Sequence, residues 1–156
     1  MNDVEILKKI EKKVLWLACW VIHNANHIRE NQDDLKVGGH QASSASIVSI
    51  MTALYFSILR PEDRVAVKPH ASPVFHAIQY LSGLQTKEKI ENFRGFGGAQ
   101  SYPSRTKDID DVDISTGSVG LGVAMTSFIS LIQDYIARKQ FYKNKPLGRM
   151  IALVGD

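Results

Sequence analysis

The sequence predicts an α/β domain: a mostly parallel, layered sheet flanked by helices. Three observations carry this. Short apolar runs, Val65-Ala66-Val67 and Met150 to Val154, read as buried strands rather than alternating surface ones. Segments with apolar residues at three- and four-residue steps separate them, as helical crossovers do. The chain of 156 residues, 44% hydrophobic, is long enough for one core, and no linker marks a second domain.

In order along the chain, Val4 to Ile28 is one amphipathic helix, with Ile6, Leu7, Ile10, Val14, Leu17, Ala18, Val21, Ala25 and Ile28 on its inner stripe. Polar residues Arg29 to Lys36 lead to Gly38-Gly39. Ser43 or Ser44 then caps a second helix carried by Ile47, Val48, Ile50, Met51, Leu54, Tyr55 and Ile58 and stopped near Pro61. After the first strand, Pro73 opens a helix to Leu81. Thr86 opens a shorter one through Lys89-Ile90. Glycines, Pro103 and the acidic group Asp108, Asp110, Asp111 and Asp113 make Arg94 to Thr116 a long loop, of the kind that is functional or mobile. A helix over Gly120 to Gln140 and a turn over Lys143 to Gly148 precede the last strand.

Composition excludes several function classes. The net charge of +3 is mild. Lys8, Lys9, Lys12 and Lys13 alternate with apolar residues, which marks a solvated helix face rather than a nucleic-acid surface. A single cysteine, Cys19, forms no internal disulfide and fits a reducing, cytoplasmic setting; in the run Val14 to Ile22 it reads as a buried thiol. That run falls well short of the roughly 20 residues of a membrane-spanning helix, and acidic residues precede it. Neither a signal peptide nor a membrane anchor is expected.

Three features fall where parallel sheets bind ligands, at the carboxyl ends of strands: His70, the run Gly117 to Gly122, and Asp156. Backbone N–H groups at a helix start suit a diphosphate, and an Asp suits Mg²⁺. The glycine spacing is neither a P-loop nor the dinucleotide fingerprint, which disfavours ATP hydrolysis and nicotinamide binding. His40, after two glycines, is an acid–base or substrate-binding candidate. His23 and His27, four residues apart, lack the Glu of a zinc motif. His76 reads as a packing or surface residue, and the acidic loop as solvated.

Five stretches together resemble the N-terminal region of the thiamine-diphosphate enzymes of the transketolase superfamily, most closely the homodimeric first component of pyruvate dehydrogenase. They are Val37-Gly38-Gly39-His40-Gln41-Ala42-Ser43, Lys68-Pro69-His70-Ala71-Ser72-Pro73, Gly98-Ala99-Gln100-Ser101-Tyr102-Pro103, Ser115 to Gly122, and Leu153-Val154-Gly155-Asp156. The resemblance implies a site in which His40 and His70 face thiazolium and substrate, shuttling protons or stabilising charge. Ser43 and Tyr102 would line the same pocket, and the backbone at Gly117 and Val119 would touch the cofactor. Gly155 and Asp156 match the start of the Gly-Asp-Gly motif, whose Asp binds the divalent cation (Mg²⁺) that bridges the diphosphate. The implied substrate is a 2-oxo acid or a ketose; Ser101-Tyr102-Pro103 and Lys68 to Pro73 favour the oxo acid. Ser104 departs from the family, standing where many relatives carry a histidine.

The family's second metal ligand and the Glu that activates the aminopyrimidine ring lie beyond the matched stretches. The resemblance therefore implies half of a cofactor site, completed by the rest of a longer enzyme or by a partner subunit, in a homo-oligomer. No turnover is expected from this chain alone, and apolar surface is expected near its last strand. A non-catalytic assembly subunit that retains the fold is the alternative.

Overall fold

The computed structural model describes residues 2–30, 35–141 and 146–155. The element order is α1 (Asp3–His23), α2 (Gln41–Ala45), α3 (Val48–Ala53), β1 (Arg64–Ala66), α4 (Ser72–Leu81), α5 (Lys87–Glu91), α6 (Leu121–Arg138) and β2 (Met150–Ala152). Helices α1 and α3 each end in a π-helical turn, Asn24–Ile28 and Leu54–Ile58. The architecture is α/β, and its described sheet has two strands: β1 and β2 pair in parallel, with Val65 opposite Ile151.

The predicted first helix forms over the predicted span. Its inner stripe puts Val14 and Ala18 into one core with Val48, Met51, Val65, Val74, Phe75 and Ile78, while Val21 and Ala25 join Ile90, Phe93 and Ala99 in a second cluster. Asn2 caps it, accepting from Glu5 N at 2.9 Å. Cys19 is half-buried rather than buried. The second helix starts three or four residues earlier than its serines predict: His40 is the residue before α2, and no side chain caps it. Ser43 lies inside α2, and the buried Ser44 hydroxyl has no partner. A turn then interrupts the helix at 46–47 before α3. By length and composition Gln41–Ile58 is apolar enough to cross a membrane, yet here Val48, Met51 and Leu54 pack in the protein core. Thr86 does cap α5, its hydroxyl accepting from Lys89 N at 3.3 Å.

The two strands are held by a charged clamp. Asp63, whose side chain is fully buried, accepts from Arg149 N at 2.7 Å and from Arg149 Nε at 3.1 Å. Arg64 N donates to Arg149 O at 2.9 Å. These bonds fix the parallel register one residue ahead of the first ladder pair, Arg64 opposite Met150, and a one-residue slip would reverse both faces of β2.

The long loop is ordered by the same strand. On the edge of β1 away from β2, Val65 N donates to Asp113 Oδ2 at 2.9 Å and Thr116 Oγ1 donates to Val67 O at 3.0 Å. Side chains of the loop thus satisfy backbone groups that another strand would otherwise take. The acidic group is not solvated as expected. Asp108 accepts from Gln100 N at 2.9 Å and Ser104 N at 2.8 Å. Asp110 lies 2.6 Å from His76 Nδ1 and also accepts from Gln85. His76 is fully buried between Phe75 and Phe93, with its Nε2 2.7 Å from Gln100 O. It is the peg on which residues 100–110 hang.

Burial on both faces of the strands, expected from their apolar runs, is met only by β1. Residues of β2 are half-buried, and α6 buries Thr126 alone. Phe128, Leu131, Ile132 and Tyr135 are exposed, so apolar surface does lie beside the last strand. The physical reason is that α6 packs mainly on β1 and β2, and its outer face is left exposed among the described residues.

Candidate active site

The site is built where the two parallel strands end. Leaving β1, the chain passes Lys68 and enters a 3-10 turn, Pro69–Ala71, that presents His70 on the surface just before α4. Leaving β2, it reaches Gly155. Across from both lies the start of α6. A cavity of about 320 Å³ is lined by Lys68, His70, the Thr116–Gly120 segment and Gly155, so the glycine run and the end of β2 face one another. Asp156, the predicted metal ligand, lies outside the described residues.

The chemistry of this cavity suits an anion. No side chain caps α6, which leaves first-turn N–H groups available at the positive end of an 18-residue helix. Lys68 runs alongside: its Nζ lies 3.2 Å from the place a Cβ on Gly155 would occupy. Among the described residues no carboxylate lines the cavity. Val119 adopts φ 59° and Gly120 φ 82°. For a β-branched residue the left-handed conformation is strained, and strain of this kind collects at ligand sites. The Val119 side chain is 94% exposed and loses no packing if removed. Val119→Gly is therefore expected to raise stability by about 1 kcal/mol; an unchanged or lower melting temperature would show that the segment is unstrained.

His70 also lines a second cavity, of about 460 Å³, together with His40, Ser43, Lys36, Gly39 and Arg94. The two predicted catalytic histidines and Ser43 therefore share one space. His40 is held there through its loop. Asn26, on the π-helical turn that ends α1, accepts from Gly38 N at 2.6 Å through Oδ1 and donates to Gly39 O at 3.2 Å through Nδ2. A Cβ on Gly38 would sit 2.5 Å from Ile22 O, so only glycine allows this approach.

Tyr102 is not in that cavity. It lines a third, of about 390 Å³, with Gln100, Ser104 and Lys107. Thr116 belongs to both this cavity and the glycine-lined one, so the three spaces form a row joined at His70 and at Thr116. The His23 and His27 rings lie with centroids 4.9 Å apart at a tilt of 38°, both exposed. Among the described residues, the group with metal-ligand spacing is instead His76, Asp108 and Asp110, whose hydrogen bonds within the loop already account for it.

Sequence reasoning missed Asn26, Lys68 as a charge, and Arg94. Asn26 carries no motif of its own. Lys68 stood inside a quoted stretch without a role, and Arg94 appeared only as the start of a loop.

No protein-family model matches the chain. Curated relatives do. The pyruvate dehydrogenase E1 component of Escherichia coli (strain K12) is 29% identical over 164 residues, covering 99% of this chain and 18% of that protein. That of Pseudomonas aeruginosa is 30% identical over 149 residues, or 90% of this chain and 16% of the relative. The Mycobacterium tuberculosis protein of the same name is 28% identical over 146 residues, covering 86% and 15%. The chain thus spans less than a fifth of the length of the curated relatives it matches. Along nearly its whole length, and at low identity, it is related to one part of the pyruvate dehydrogenase E1 components, as its motifs indicated.

Proposed function

We propose that this chain is one side of the cofactor site of a thiamine-diphosphate-dependent 2-oxo acid dehydrogenase, acting in the cytoplasm within a homo-oligomeric enzyme. The observation that supports this most is the cavity between the α6 start and the end of β2, joined at His70 to a second cavity that holds His40. Backbone N–H groups of residues 117–123 and the Lys68 ammonium would hold the diphosphate. Asp156 would hold Mg²⁺, whose charge would neutralise the diphosphate further. When bound, the cofactor supplies a carbanion able to add to a substrate carbonyl. His70, exposed where the two cavities meet, would exchange protons at the reacting carbon, with His40 across the same space.

The test is calorimetric titration of the chain with thiamine diphosphate. Saturable binding that requires Mg²⁺ and falls at least tenfold in Asp156→Ala is expected. Binding that ignores both Mg²⁺ and Asp156→Ala would remove the site. Pyruvate turnover by the chain alone is not expected, and observing it would overturn the half-site reading. In the full enzyme, His40→Ala and His70→Ala are expected to lose turnover by about 100-fold; retained turnover would point to an assembly role instead.

A further inference from the structure

We propose that His76 is the positioning residue of the Tyr102 cavity: its buried ring, donating from both nitrogens, staples the two ends of residues 100–110 to α4. The first ground is a proton count. His76 Nε2 lies 2.7 Å from Gln100 O, and a carbonyl oxygen only accepts, so Nε2 carries a hydrogen. Gln85 Oε1 accepts from Thr86 N at 2.9 Å, which turns the Gln85 amide hydrogens toward Asp110 Oδ1. Asp110 Oδ1 is therefore an acceptor. One contact remains, His76 Nδ1 to Asp110 Oδ2 at 2.6 Å, and a second proton has to lie in it, or two lone pairs would meet there. Imidazole is a stronger base than a carboxylate, so that proton belongs to Nδ1. The bonds thus run one way, from Thr86 N–H at the start of α5 through Gln85 to Asp110, with the His76 ring donating to Asp110 and Gln100.

Position is the second ground. The His76 and Asp110 side chains are fully buried and Gln85 is buried, so water does not compete for these bonds. Gln100 and Asp110 bound the segment that carries Tyr102, Ser104 and Lys107 into the third cavity, and one imidazole binds both ends. Asp108 cannot replace it. Accepting from Gln100 N and Ser104 N, it shapes the segment from within and fastens it to no other element. The opposite wall of the cavity, Ser115 and Thr116, is anchored separately, since Thr116 Oγ1 donates to Val67 O at 3.0 Å. Thr116 is also where this cavity meets the glycine-lined one. The staple therefore shapes the Tyr102 side of the site from a distance and leaves the glycine run in place.

The test is NMR of the ¹⁵N-labelled chain at neutral pH. Both ring nitrogens of His76 are expected to carry hydrogens. In Asp110→Asn only Nε2 should, because the new amide can donate to Nδ1 while still accepting from Gln85. A parental ring with a single hydrogen overturns the proton count. Amide exchange reads the staple itself. Ser104 and Asp108 N–H, bonded within the segment, are expected to exchange at least tenfold faster in His76→Gln, which keeps a donor for Gln100 O but drops the one to Asp110. Asp110→Ala cuts one end of the staple while leaving the ring in the core, and the same acceleration is expected there should His76→Gln misfold. Parental exchange in Asp110→Ala overturns the assignment. Thiamine diphosphate with Mg²⁺, read at residues 117–122, keeps the two readings apart, and equal binding to the parent and to Asp110→Ala is expected. Binding absent from both sinks the cofactor reading and leaves the staple standing. Binding lost in Asp110→Ala alone would show that the staple holds both cavities, and would overturn its assignment to the Tyr102 side.

Discussion

Asp63→Asn is expected to lower the melting temperature at neutral pH by roughly 10 °C and to weaken cofactor binding from a distance. The Asp63 carboxylate accepts from Arg149 N and Nε and from Arg60 N at 2.9 Å, with its side chain wholly buried. Asparagine keeps the shape but loses the charge and one acceptor oxygen. Hydrogen bonds from Arg149, side chain first and then backbone, hold the Asp63 carboxyl well below the usual carboxylate range. A carboxyl whose folded-state pKa lies below its unfolded value stabilises the fold at pH above about 4, and that contribution fades as pH falls through the folded value. The gap between parent and variant should therefore be widest near neutrality and close on acidification. Arg149→Met should be worse than Asp63→Asn at neutral pH, because it leaves a buried carboxylate without its partner. Thermal melts from pH 7 to pH 2 decide the matter: a gap that stays constant with pH would show that the clamp is not electrostatic. The link to function is register, since the clamp aligns the strands whose ends carry Lys68, His70 and Gly155.

That clamp also shows what the sequence could and could not disclose. Local rules were legible. The stripe of α1, the Thr86 cap, Pro73 near the start of α4 and the existence of β2, though not its burial, all follow from residues within a turn or two of one another. So were the motifs that line the cavities, because they are local strings. Pairings across the chain were not. Asp63 finds Arg149, His76 finds Asp110, and Arg94 finds Val37 only after the layers assemble. The acidic loop is the clearest case: four carboxylates close together read as solvated, yet Asp108, Asp110 and Asp113 each accept a bond from backbone or a buried side chain. The Ser43 and Ser44 caps failed for a related reason. Helix α2 begins at Gln41, whose side chain donates to Cys19 O on α1 at 3.1 Å. This tertiary contact sits at the helix start, where local capping preference pointed three or four residues later. The exposure of α6 was anticipated only as apolar surface near the last strand, without the helix that carries it.

Asn26→Ala is expected to cost about 2 kcal/mol of stability and to free the loop that presents His40. Its side chain is the only described one bonded to both Gly38 N and Gly39 O, so alanine leaves a buried amide and a carbonyl without partners. The π-helical turn makes this reach possible. It widens the end of α1 so that Asn24 donates to Glu91 O at 2.7 Å while Asn26 turns toward the glycines, and Arg29 donates to Phe93 O at 2.7 Å. One short segment thereby fixes the His40 loop on one side and the approach to Arg94 on the other, and such turns are found at functional sites. Asn26→Asp keeps the acceptor for Gly38, loses the donor to Gly39 and adds a negative charge beside Lys36 and Arg94; intermediate stability is expected. Gly38→Ala should be worse than either, because its Cβ would lie 2.5 Å from Ile22 O and 2.9 Å from Asn26 Oδ1. Amide hydrogen exchange gives the decisive reading. The Gly38 N–H should exchange at least tenfold faster in Asn26→Ala, while buried amides of α4 keep their protection. If the Gly38 amide stays protected, the loop is held by something other than Asn26, and His40 owes its place in the cavity to the α2 start instead.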